Sequence, residues 1–304
     1  MGTQGIKQVY SIVSNMKGRK KILTESPKGF VRILILVIVF TSFILHSPAL
    51  AEEVLKIGGA GSALGSMKLL AAAFEKSHSG VRAVVLSSLG SIGGIKAVSK
   101  GGIDIGLTGR PLNDEELKLG LSVIEYARTP VIFITRNNIN VSNLSTEEII
   151  KIFRGEIQTW PNGERIRLIL RQASESNAIA VNQISPEMST AMKIAMSRPW
   201  RVVALTDQES ADMVEKTPGS FGFCTLTQVI SEKRNMKILS YNSIPPITNN
   251  LVNDSYPLFK SHYMVTKPKP SAMVKEFIRF VRSSEGKRML EESGNSVIKG
   301  NSEQ

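Results

Sequence analysis

Along the chain, short apolar runs closed by glycine alternate with stretches whose apolar residues recur at helical spacing. "VLKIGG" (54–59) reads as a strand, and "SMKLLAAAFEK" (66–76) sets Met67, Leu70, Ala71 and Phe74 on one helical face. "VRAVVLSS" (81–88) is a second strand, followed by the glycine turn and helix "GSIGGIKAVSKG" (90–101). "IDIGLT" (103–108) is a third strand, and Asn113 then stands as an N-cap before Asp114, Glu115 and Glu116. Strands alternating with helices predict a parallel sheet with right-handed crossovers. In such a sheet the loops leaving the strand ends gather at one crevice, so three glycine/serine turns are expected to converge.

The second half continues the alternation. "YARTPVIFITRNN" (126–138) is an apolar strand closed by Asn137 and Asn138, and Ser145 with Glu148 forms a capping box for an amphipathic helix. "RIRLILRQ" (165–172) is another strand, and "DQESADMVEKTPGSFGFCTL" (207–226) gives a helix, a break at Pro218/Gly219 and a strand. The stretch 270–294 reads as two helices stopped by Gly294. No internal repeat or low-complexity tract interrupts this order.

The first fifty residues break the pattern. A basic lead containing Lys17, Arg19, Lys20, Lys21, Lys28 and Arg32 precedes the apolar run Ile33 to Leu45, and "HSPALA" follows. Small Ala49 and Ala51 around Leu50 mark a secretory signal peptide over 1–51, with cleavage after Ala51 and export to the periplasm or exterior. An uncleaved anchor is the alternative, but the apolar run falls short of the roughly 20 residues a spanning helix needs. Translation could begin at Met1 or Met16. Half of the formal charge of +12 lies in this leader, so the mature chain carries a modest positive field suited to an anionic ligand or surface. No basic run after residue 52 forms a nucleic-acid patch.

Catalytic and cofactor patterns are weak. Gly59, Gly61 and Gly65 approach a dinucleotide fingerprint, but the second strand ends in Leu86-Ser87-Ser88 without a ribose-binding acid, and no Walker lysine follows the turn. His46, His78 and His262 stand apart from any nucleophile motif, and the single Cys224 offers neither a disulfide nor a metal cluster. No enzyme, cofactor or metal is therefore expected.

Anion binding has better candidates. A helix N-terminus presents unpaired N–H groups and the positive end of the helix dipole, and Ser62, Ser91 and Thr108 could add hydroxyl donors, with helix capping as the rival role for each. Arg110 and Arg171 could clamp an oxyanion through paired hydrogen bonds. A surface salt bridge is the competing role for Arg110.

With these residues in view, the mature chain resembles the phosphate-binding proteins of ABC transporters. The likeness runs in order through "GAGSALGSMKLLAAAFEK", "LGSIGGIKAV", "DIGLTGRPLNDEEL", "VSNLSTEEIIKIFRGEIQTW", "GSFGF", "YPLFKSHYMVTKPKP" and "VKEFIRFVRSSEGKRMLEESG". It implies the α/β, two-lobe type 2 periplasmic-binding-protein fold, each lobe a mostly parallel sheet flanked by helices, with two hinge crossovers. Lobe 1 would comprise 53–129 plus 225–304, and lobe 2 would comprise 130–224. A monomer holding inorganic phosphate or a similar oxyanion between its lobes would deliver it to a membrane permease. The alternative is an interaction or sensory module with a degenerate anion site.

By the same resemblance, the first anion loop falls on Gly61, Ser62 and Ala63, and the second on Ser91. The third, which in some members carries an aspartate and in others a Ser-Arg pair, reads Gly109-Arg110 here after Thr108. The family arginine matches Arg171, and "SESN" follows where Ser-Gly-Thr is usual, leaving Ser174, Ser176 and Asn177 as donors. Glu175 brings a negative charge toward the anion unless it is itself paired.

Overall fold

The computed structural model describes residues 52–297. The expected leader, its cleavage point after Ala51 and both possible starts lie outside the described residues. Among those described, no helix is long and apolar enough to cross a membrane.

The first half of the described chain follows the expected alternation. β1 (Glu53–Gly59), α1 (Gly61–Ser77), β2 (Val81–Val85), α2 (Gly90–Ser99) and β3 (Ile105–Thr108) form a parallel unit with β1 between β2 and β3. A short helix, α3 (Asp114–Leu117), carries the expected Asn113 cap as a full capping box with Glu116. The next element is longer than the sequence implied. β4 (Ser122–Thr135) spans 14 residues and carries both halves of the sheet. Its first part pairs antiparallel with β10 (Phe259–Thr266) and its last part with β8 (Ser220–Thr225).

Beyond β4 come β5 (Asn143–Leu144), α4 (Thr146–Arg154), β6 (Arg167–Arg171), α5 (Ser176–Asn182), α6 (Pro186–Ser197), β7 (Val202–Ala204) and α7 (Asp207–Lys216). After β8 follow α8 (Leu226–Ser231), β9 (Lys237–Tyr241), α9 (Thr248–Val252), β10, α10 (Ala272–Arg282), α11 (Ser284–Glu292) and β11 (Ser296–Val297). The sheet order is β2-β1-β3-β10-β4-β8-β6-β7. The helix α4 owes its start to the Ser145–Glu148 capping box and its end to Gly155, which takes the left-handed conformation that glycine adopts without strain.

Alternation along β4 divides the packing. Val131 and Phe133 face one way into a core with Ile149, Phe153, Trp160 and Phe221, while Ile132 and Ile134 face the other way against Ile169, Val214 and Cys224. A separate core gathers Leu55, Ile57, Met67, Phe74, Leu107 and Phe277 around the first parallel unit. The first two cores flank the later part of β4 and the third takes Tyr126 and Ala127 from its earlier part, a two-lobe arrangement on one shared strand. Beyond the lobe boundary expected at 224, Leu239, Tyr241, Tyr256 and Leu258 pack into the core around Phe133 and Phe221. The cause is β9, which pairs with β4 beside Phe133.

Candidate functional site

The strand ends and helix starts of the two lobes meet around Lys260, which is not among the residues proposed from the sequence. It lies on β10 in phase with inward-facing His262 and Met264 and is only 5 % exposed. Its ammonium donates to Ser62 Oγ at 3.0 Å, to Ser176 Oγ at 2.5 Å and to Asn177 Oδ1 at 2.9 Å, which uses all three of its protons. Ser62 belongs to the start of α1, and Ser176 and Asn177 to the start of α5. One side chain thus bridges the two lobes. Burial, reinforced by the nearby Arg171 cation, lowers the Lys260 pKa to about 8, while Asp207 and Glu175 act to raise it.

Space explains the glycine of the third loop. A Cβ at Gly109 would stand 2.5 Å from Lys260 Cε and Nζ and 2.8 Å from Ser176 Oγ. The ammonium therefore occupies the room that a family aspartate or serine would need. The Gly109 N–H donates to Ser91 Oγ at 3.1 Å, which draws the second loop to the same place. Ser62 also contacts His262 Nε2 at 3.2 Å. Burial and the neighbouring ammonium hold His262 well below its usual pKa and hence neutral, and its Nδ1 has no hydrogen-bond partner.

Arg171 closes the second-lobe side. It ends β6, is 1 % exposed, and donates from Nη1 to the Ala204 carbonyl at 2.9 Å and from Nη2 to Glu175 Oε2 at 3.1 Å. Asp207 Oδ2 lies 3.8 Å from the same nitrogen, and Nε has no partner. Asp207 Oδ1 in turn accepts from Asn177 Nδ2 at 2.7 Å. Across the lobes, Gln208 donates to the Gly61 carbonyl at 2.9 Å. Glu175 is therefore turned onto Arg171, and the two cations Arg171 and Lys260 are matched by the two carboxylates Glu175 and Asp207.

The helix ends share one property. α1, α2 and α5 start at Ala60, Leu89 and Glu175 without a side-chain cap hydrogen bond, as does the short α9 at Ile247. Their counterparts α4, α6, α7, α10 and α11 are capped by Ser145, Ser185, Thr206, Ser271 and Ser283. Free first-turn N–H groups are thus left where the lobes meet, which is where an anion gains most from them. Gly90, at φ 67, shapes the entry to α2, and a Cβ there would stand 3.7 Å from Glu175 Oε1.

The sequence candidates divide accordingly. Gly61, Ser62, Ala63, Ser91, Arg171 and Ser176 stand at or beside the junction. Thr108 turns its hydroxyl to the Arg110 carbonyl at 2.8 Å, a local turn contact. Arg110 is directed elsewhere, gripping Glu116 through two hydrogen bonds of 2.7 and 2.8 Å, the salt bridge weighed as its competing role. Ser174 is exposed in the turn before α5. Asn177, a donor implied by the resemblance, stands at the junction too, and Lys260, His262, Asp207 and Gln208 join the site without having been singled out as its residues. Lys260 shares the inward phase of β10 with His262, and with Ser261 between them the segment shows no apolar alternation that would mark the lysine as inward-facing.

Comparison with known proteins agrees with this architecture. A family described as "PBP superfamily domain" matches residues 46–285. The phosphate-binding protein PstS of Borreliella burgdorferi is 26% identical over 257 residues, covering 82% of this chain and 91% of that protein. The crystal structure of a Clostridium perfringens putative phosphate ABC transporter substrate-binding protein with bound phosphate superposes with a TM-score of 0.70 at 22% identity, covering 81% of this chain and all of that one. The periplasmic molybdate-binding protein of Azotobacter vinelandii superposes at 0.56 with 17% identity, covering 81% of this chain and 100% of that one. With most of its length matched, this chain belongs to the PBP superfamily.

Proposed function

We propose that this chain is an exported solute-binding protein that captures an inorganic oxyanion, with phosphate the leading ligand, between its two lobes and presents it to an ABC transporter permease. The observation that carries this reading is the meeting of uncapped helix starts with Arg171 and Lys260 at the junction of the lobes. Relatives named as phosphate-binding proteins and a structural neighbour with bound phosphate support the choice of ligand. The anion would lie among the N–H groups of Ser62 and Ser91, the Ser176 hydroxyl and the two cations, since the Ala63 N–H is taken by the Ala60 carbonyl at 3.1 Å. Opening of the lobes would release the Lys260 contacts to Ser176 and Asn177 and admit it. The role asks for binding and hinge motion, not bond chemistry. It suits a monomer, released after cleavage near Ala51, with lobes divided near 129–130 and at the return of the chain into β10.

A second reading draws on the same contacts. Arg171 and Lys260 are already satisfied from within the protein, the state of a module that has given up transport for interaction or sensing. Calorimetry with phosphate, sulfate, molybdate and tungstate separates the two. Saturable binding of one oxyanion supports transport, and no binding at millimolar concentration overturns it in favour of the second reading.

A further inference from the structure

A groove of about 890 Å³ opens in the second lobe, bordered by the ends of α4 and α6, most of β6 and the edge strand β7. Its lining includes Arg154, Arg165, Arg167, Arg198, Arg201 and Trp200, and it contains no aspartate, glutamate or lysine. Lysines outnumber arginines in the chain as a whole, so the composition of this one wall is selective. Arg198 Nη2 donates to the Phe153 carbonyl at 2.6 Å and Arg167 Nη1 to the Pro218 carbonyl at 2.7 Å. Backbone oxygens orient these guanidiniums without neutralising them. The ion pair nearest to forming is Arg154 with Glu156 at 3.9 Å, and among the described residues the other four arginines have no carboxylate within ion-pair distance.

Beside this charge lies exposed apolar surface. Trp200 is 72% exposed, Val202 40% and Leu205 63%. Among the described residues β7 pairs only with β6, which leaves its other backbone edge without a strand partner there. The groove takes Arg167 to Leu170 of β6 and stops short of Arg171, and none of its lining residues is among those that make the oxyanion junction.

We propose that this groove docks an extended acidic segment of a partner protein. Guanidinium forks match carboxylates through paired hydrogen bonds, a geometry that an ammonium cannot reproduce. Tryptophan and arginine dominate protein interfaces while lysine and the acids are depleted there, which is the composition of this wall. An anionic membrane surface would attract lysine and arginine alike, and it would meet a protruding face more readily than a groove. Carboxylates of the segment would sit on the arginines, an apolar side chain on Trp200, and its backbone along β7.

The test uses the mature chain and a fluorescein-labelled peptide alternating glutamate with valine, followed by anisotropy, with a lysine–valine peptide and phosphatidylglycerol-containing vesicles as separate arms. The expected result is saturable binding of the glutamate peptide alone, weakened about tenfold or more by Arg165→Glu with Arg201→Glu, roughly 1.4 kcal/mol per tenfold. Oxyanion calorimetry of the same variant checks its fold, and the neutral pair Arg165→Gln with Arg201→Gln replaces it if the charge reversal unfolds the chain. Absence of saturable glutamate-peptide binding, equal affinity in the variants, or arginine-dependent binding to the vesicles without peptide binding would overturn the proposal.

Discussion

Arg171 Nη2 donates to Glu175 Oε2 at 3.1 Å, so the buried arginine at the lobe junction already holds a carboxylate in the direction from which an oxyanion would approach. A ligand must compete with that carboxylate. Removing its charge should therefore help: Glu175→Gln is expected to tighten oxyanion binding about tenfold, near the lower limit of what a charge-assisted hydrogen bond contributes. Titration calorimetry of the variant and the parent checks this. Weaker binding would mean that Glu175 accepts a proton from the ligand.

Arg171 itself is a harsher test. Arg171→Lys loses the fork and leaves Glu175 and Asp207 beside a single, differently placed charge. Breaking a buried pair costs about 3–5 kcal/mol when one partner is deleted, so the lysine variant should lose part of that in stability and at least about a hundredfold in affinity. Denaturant melts and calorimetry read the two effects separately.

Much of this site could be read in advance, and the missing part has a physical cause. Glycine turns, the Asn113 and Ser145 caps and the position of Arg171 are local signals, set by residues within a few places of one another. Lys260 acts on Ser62, 198 positions away, and on Ser176, 84 away. Nothing local to "YPLFKSHYMV" announces partners that only the fold supplies. The long β4 and the return of β9 to the core around Phe133 and Phe221 were hidden for the same reason, since their pairing is decided by strands far along the chain. Arg110 shows the opposite error, where a plausible local clamp is spent on Glu116 six residues later.

That assignment makes its own prediction. Arg110→Ala should leave oxyanion affinity within about threefold, while stability falls by about 1 kcal/mol as expected for a single partly solvated pair. Affinity lost as completely as in Arg171→Lys would return Arg110 to the site.

Lys260 gives a pH dependence whose sign can be worked out. Its folded pKa of about 8 lies below the ordinary 10.5, so between those values the unfolded chain binds more protons and the contribution of this group to stability rises with pH. Anion affinity should run the other way, because it needs the ammonium: affinity falls above about pH 8. In Lys260→Arg, which stays charged, that fall should vanish. Calorimetry from pH 7 to 10 on both proteins provides the check, and an identical fall in both would assign it to another group.

Trp160 ties the second lobe together, buried edge-on against Phe221 at 5.7 Å with Nε1 donating to the Gly219 carbonyl at 3.0 Å. Trp160→Ala should cost about 3–5 kcal/mol of stability by emptying that space. Trp160→Phe should cost closer to about 1 kcal/mol for the lost hydrogen bond. Thermal melts of both would rank them, and equal losses would contradict a packing role.

The central claim is that the junction of Ser62, Arg171, Ser176 and Lys260 is an oxyanion site. Its most direct test is phosphate titration calorimetry on the mature chain beside Lys260→Met. The account predicts saturable one-to-one binding by the parent and loss of at least about a hundredfold, roughly 2.7 kcal/mol, in the variant. Equal affinity in the two proteins, or no phosphate binding by the parent, would contradict it.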